Sequence, residues 1–229
     1  MGKFFEIVKD LLKSFRFLLP LIFISVTIYM FYARFTKSGV EKTVEDIVYI
    51  TSHMYDNLQD TVYRDLNNDT LVYSNSLPID IKTKMTSKGY RIENRLGSQM
   101  SVMGAYKTKA EKDYYEVKDS RISKPYKGVG AYIITFPQIR RRACILLSQV
   151  DWKKKVPNFL GISVARIDEE NPKGGVERLN LGLLQGYLKI DYNGPDKAFV
   201  ANRPLSYREA FEECKCFLHR KCAVSLKFF

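Results

Sequence analysis

The chain is poor in the residues that most often carry catalysis and metal binding. Among its 229 residues are two histidines (His53 and His219), one tryptophan (Trp152) and four cysteines. So little histidine disfavours imidazole acid–base chemistry and His-rich metal sites. No G-x-S-x-G, H-E-x-x-H, phosphate-binding glycine loop or C-x-x-C pair occurs. Gly128-Val129-Gly130 precedes an apolar run instead of following one, so it lacks the context of a dinucleotide-binding turn. There is no internal repeat. A catalytic centre and a cofactor are therefore not expected. A zinc site drawn from Cys214, Cys216, His219 and Cys222 has an unusual ligand spacing, with one residue between its first two thiols. His53 falls near an apolar helical stripe, where packing is its expected role.

Acidic residues are outnumbered, 25 against 37 Lys and Arg, for a formal charge of +12. That balance suits contact with nucleic acid, lipid headgroups or acidic polysaccharide, without choosing among them. The densest basic runs are Arg140, Arg141, Arg142 and Lys153, Lys154, Lys155, on either side of one expected helix. They form a candidate polyanion-binding face, or alternatively a solvated helix edge.

Charge is missing altogether from Phe17 to Ala33, a run of seventeen residues (FLLPLIFISVTIYMFYA). As a helix the run covers about 25 Å, the short end of a membrane span. A core helix is rarely apolar on every face. A cleaved signal peptide is disfavoured by the long basic stretch before the run and the lack of an A-x-A site after it. A retained anchor is expected, with Pro20 tolerated inside it. Lys3, Lys9, Lys13 and Arg16 precede the span, against Arg34, Lys37 and Lys42 after it, a weak bias toward a cytoplasmic N-terminus. All cysteines lie beyond residue 143, and their even number suggests disulfides in an oxidising compartment. The expected organisation is a cytoplasmic segment 1–16, a transmembrane helix 17–35 and an extracytoplasmic domain 36–229, anchored in the inner membrane.

Beyond the anchor, Val44, Ile47, Val48, Ile50, Met54, Tyr55 and Leu58 recur at three- and four-residue steps. This predicts an amphipathic helix over 40–58, continuous with the anchor. Asn67-Asn68-Asp69 and Asn75-Ser76-Leu77-Pro78 are turn chemistry. A helical turn is expected at 79–85, with strands at 91–94, 99–103, 130–136, 159–167, 187–192 and 222–228. Pro137 should stop its strand and open a helix over 138–149. Ser206 and Glu209 form a capping-box pair at the start of a helix reaching Cys214. The order is α+β: a long N-terminal helix, half membrane and half amphipathic, packed on a mainly antiparallel sheet with two further helices.

In this order of segments the chain resembles the type IV pilin and pseudopilin superfamily, closest to the type IVb-like pilins of conjugative thin pili. The resemblance is carried by the apolar helix with Pro20 and by the stretch from Ile47-Val48-Tyr49-Ile50 through Tyr63–Asn67 to Ser76-Leu77-Pro78 and Met85. It continues through Tyr90–Ser98 (YRIENRLGS), the helix with Cys144-Ile145-Leu146-Leu147, and Ala210–Cys214 followed by Ala223–Phe228. The processing glycine is a departure: Gly2 is followed by Lys3, and Glu6 comes one position early, which leaves open whether a prepilin peptidase cleaves the leader or the chain is an unprocessed relative held in the membrane. The resemblance implies a structural subunit that assembles with its own kind, or with other pilin-like chains, through the apolar helix. It also implies a disulfide between the Cys144 helix and the Cys214 helix. The assignment that follows is Cys144–Cys214 with Cys216–Cys222. The rival pairing, Cys144–Cys216 with Cys214–Cys222, differs only by two positions along a helix end and stays open. The alternative function is a tethered, non-assembling module that binds a partner or a polyanion such as DNA.

Overall fold

The computed structural model describes residues 2–58, 66–106, 130–167, 198–216 and 221–229, with backbone alone at 2–17, 55–58, 106, 130 and 198–200. Helix α1 runs from Gly2 to Leu58 with Pro20 inside it, so the backbone stays helical through Ser38 and Gly39. The chain divides there into two compact units, Met1–Ser38 and Gly39–Phe229.

In the first unit every side chain from Leu18 to Phe31 is exposed. The two aliphatic hydroxyls in that stretch bond within the helix: Ser25 Oγ donates to Leu21 O and Thr27 Oγ1 to Phe23 O, both at 2.8 Å. Neither therefore needs an outside partner in an apolar medium.

In the second unit the described sheet has seven strands: β1 (Thr83–Thr86), β2 (Gly89–Glu93), β3 (Gln99–Tyr106), β4 (Gly130–Ile139), β5 (Phe159–Ile167), β6 (Ala198–Ala201) and β7 (Lys221–Phe228). Their spatial order is β1-β2-β3-β4-β7-β5-β6, and every pairing is antiparallel. The fold is α+β. Val40, Thr43, Ile47, Ile50 and Met54 of α1 are all buried, the narrow seam that alternating three- and four-residue steps produce. Val40, Ile47, Ile50 and Met54 share one core with Ile92, Tyr132, Ile134, Phe136, Leu147, Trp152, Val224, Leu226 and Phe228.

Four short helices complete the described elements: α2 (Asn68–Tyr73), α3 (Arg141–Ser148), α4 (Trp152–Lys155) and α5 (Tyr207–Glu213). Two of these, α2 and α4, go beyond the two further helices expected. Each is a turn or so long and is set by an Asx cap: Asn67 Oδ1 accepts from Asp69 N and Thr70 N, and Asp151 Oδ1 from Lys154 N.

Two expectations are corrected. Residues 79–85 form a turn leading into β1, not a helix, because Thr83–Thr86 pairs with β2. Pro137 does not end its strand: the register shifts between Phe136 and Ile139, and Ile139 still pairs with Cys222. The irregularity takes up the missing proline donor, and the helix begins only at Arg141. The terminal strand, expected at 222–228, lies between β4 and β5 and is buried from Cys222 to Phe228. Its polar positions follow from that place: Thr135 and Ser163 flank Ser225 in register, and Thr135 Oγ1 and Ser225 Oγ lie 2.7 Å apart. The strand expected at 187–192 lies outside the described residues.

The turn Asn94–Ser98 packs on α1. Asn94 shapes it by accepting from Leu96 N and Ser98 N and donating to Gln99 O. Gly97 has φ +72°, the left-handed conformation glycine tolerates best. A Cβ on Gly39 would lie 3.1 Å from Arg95 O, so glycine lets the turn approach the helix. Two helical turns further along, the Arg95 guanidinium forks onto Asp46, with Nε at 2.9 Å and Nη2 at 3.2 Å, and also bonds Asp80. Both acids raise the already high pKa of Arg95, and the Arg95 hydrogen bond holds Asp80 below the usual carboxylate range.

The β1–β2 hairpin is fixed by α2. Gly89 has φ +100°, and a Cβ there would meet both carboxylate oxygens of Asp69 at 2.7 Å. Gly89→Ala is therefore expected to destabilise the domain by about 1–3 kcal/mol, read as a lower urea midpoint at an unchanged slope.

Candidate functional site

Two features stand out, and each belongs to one unit. The first is the exposed apolar helix of Met1–Ser38. Among the described residues one helix is long and apolar enough, by length and composition, to cross a membrane. Phe23, Tyr29, Met30, Phe31 and Phe35 are each more than 60% exposed, an apolar surface that water does not favour.

The second is the cysteine cluster of Gly39–Phe229. Cys144 lies in α3. Cys214 is the C-cap of α5, whose start is fixed by the expected capping box: Glu209 N donates to Ser206 Oγ and Ser206 N to Glu209 Oε2. Cys222 lies in β7 beside Ile139 and Arg166. The structure joins Cys144 to Cys214, with Cα atoms 6.0 Å apart, and Cys216 to Cys222, 5.5 Å apart, leaving no free cysteine. All four are buried. The sulfurs of Cys144, Cys214 and Cys222 lie within 4.8 Å of one another. The two bridges are thus one cluster. Ser148 closes one side: its Oγ donates to Cys144 O at 2.8 Å, and its carbonyl accepts from Leu205 N at 2.9 Å.

The zinc alternative meets these bridges, since a bridged sulfur offers no thiolate; His219 lies outside the described residues. His53 stacks on Tyr49, with ring centroids 3.7 Å apart.

The basic triplets are divided in their roles. Arg141 is used within the domain: Nε donates to Cys214 O at 3.0 Å, Nη2 to Phe211 O at 3.2 Å, and the guanidinium lies 3.9 Å from the Phe211 ring centroid. It thereby satisfies the end of α5 beside the long disulfide. Arg140 takes the N-cap position of α3 without a side-chain capping bond, and Arg142 is half-buried. Lys153, Lys154 and Lys155 are exposed on α4, with Lys154 Nζ 3.1 Å from Asp151.

The Asp46–Arg95–Asp80 clamp was not anticipated. Its signal is Asp46 itself, a carboxylate set between Thr43 and Ile50 in the apolar seam, where an acid needs a partner. Asn68 is also committed: its side chain donates to Tyr90 O and Met100 O and accepts from Val102 N. It bridges β2 and β3 next to their short ladder.

Glu209 is held at a pKa of about 2 by Arg203, with the Ser206 N–H and hydroxyl adding to the effect. A carboxylate depressed in the folded state stabilises above its unfolded value, roughly 4.3, and loses that contribution as pH falls toward 2. The thermal-stability advantage of the wild type over Glu209→Gln should hold from pH 7 to 5 and vanish toward pH 2. A difference independent of pH would contradict it.

No family model matches the chain, and no curated protein matches it. Among solved structures it is similar to the type IV b pilin from Salmonella typhi, with a TM-score of 0.43 and 13% identity over 79% of this chain and 93% of that one.

Proposed function

We propose that this chain is a membrane-anchored, pilin-like structural subunit that assembles through its N-terminal apolar helix into a type IV pilus or pseudopilus. The observation that carries the reading is the uncovered apolar helix, exposed at every side chain from Leu18 to Phe31. Such a surface needs lipid around it, and it leaves lipid only for other apolar helices. An anchor spanning 17–35, with 36–229 outside the inner membrane, agrees with the two disulfides, which persist in an oxidising compartment. A structural subunit, not an enzyme, is the class these features support.

The test is fractionation of cells expressing the chain at native level. A structural subunit is expected in sheared surface filaments as well as in membranes, and copies carrying Phe23→Cys, the one unbridged thiol beside the two native disulfides, should crosslink and migrate as dimers. Recovery from membranes alone, with no crosslinked dimer, would favour the tethered, non-assembling module.

A further inference from the structure

We propose that Cys222 is an internal exchange partner for the long disulfide, so that the four cysteines form one isomerisable site. The geometry comes from three elements. Helix α3 supplies Cys144, the end of α5 supplies Cys214, and β7 places Cys222 so that its sulfur lies within 4.8 Å of both. Exchange requires a thiolate close to a disulfide sulfur, and Cys222 meets that condition once its own bridge opens.

The sequence of steps balances without an oxidant. Cys216 is buried like the other three, so the first step needs a local opening that exposes its sulfur; an external thiolate, from a small thiol or a dithiol protein, then attacks Cys216 Sγ. A mixed disulfide forms on Cys216, and Cys222 leaves as thiolate. Cys222 then attacks Cys214 Sγ: the Cys214–Cys222 bond forms, the Cys144–Cys214 bond breaks, and Cys144 leaves as thiolate. Cys144 attacks the mixed disulfide on Cys216, forms Cys144–Cys216 and releases the external thiolate unchanged. The product is the rival pairing that the sequence leaves open. Run backward, the same steps convert that rival into the observed pairing. Whichever bridge closes first, the chain reaches its pairing by stability and not by order of closure.

The test uses the full chain in detergent, folded and oxidised, carrying Cys216→Ala, so that Cys222 is a lone thiol. After incubation at mildly alkaline pH, acid quench and non-reducing peptide mapping, peptides bridged through Cys222 are expected, absent from a sample alkylated before the incubation. Cys222 left wholly unbridged in a folded chain would overturn the proposal. Should the variant fail to fold, the wild type is treated with a trace of dithiothreitol and trapped with an alkylating agent over time. Transient Cys214–Cys222 peptides support exchange; opening of Cys216–Cys222 with Cys144–Cys214 intact at every time point overturns it.

Discussion

Removing the long bridge by the double substitution Cys144→Ala, Cys214→Ala is expected to lower the stability of the Gly39–Phe229 unit by roughly 4 kcal/mol, and removing the short one by roughly half that. The ranking follows from sequence separation, 70 residues for Cys144–Cys214 against 6 for Cys216–Cys222. A longer loop restricts the unfolded chain more. Both bridges are buried in one core, so native-state packing changes are of similar size and leave loop length to decide. Paired substitutions are needed because a single one frees a thiol beside the other bridge. The measurement is denaturant unfolding in detergent, followed by Trp152 fluorescence, since Trp152 is buried in the same core and bonded to Leu147 O at 3.1 Å. Equal losses from the two double variants would show that the loop-entropy account does not govern here.

Much of this architecture is written in local pattern. The seam Val40–Met54, the strand Phe159–Ile167 and the capping box at Ser206 each follow from a period or a pair of residues within one turn. The errors share a different cause, which is partnership at long range. Nothing within Ile79–Met85 says that its last residues, from Thr83, will pair with β2 across a hairpin whose geometry is held by Asp69. Pro137 reads as a stop because a proline cannot donate, yet Ile139 finds Cys222, far along the chain, past an irregularity in the ladder. The central position of β7 was hidden for the same reason. Site residues divide in the same way. The cysteines declare themselves by rarity, and their pairing became definite only through three elements meeting at one point. Arg141, part of a basic triplet, is used by the carbonyls at the end of α5, which no local spacing could disclose.

A charge at the middle of the apolar run, Ile24→Lys, is expected to lower membrane association by roughly a hundredfold. A lysine at a helix centre costs about 2.5–3.5 kcal/mol on insertion scales, and every 1.4 kcal/mol or so is a factor of ten. Ile24 is 53% exposed and its helical neighbours are uncharged, so the cost has no nearby acid to offset it. A lysine at Phe35, next to Arg34 at the end of the run, should cost much less because its side chain can reach the interface. Carbonate extraction of membranes from cells expressing each variant provides the comparison. The apolar truncation Ile24→Ala separates the two roles proposed for the helix: it keeps the segment apolar, so extraction should hardly change, while a cavity between packed helices weakens assembly. Loss of filaments with retained anchoring in Ile24→Ala, set against loss of both in Ile24→Lys, is the outcome that assembly through this face requires. A wild-type chain extracted with the soluble fraction, its first 35 residues intact, would remove the anchor and the assembly argument together.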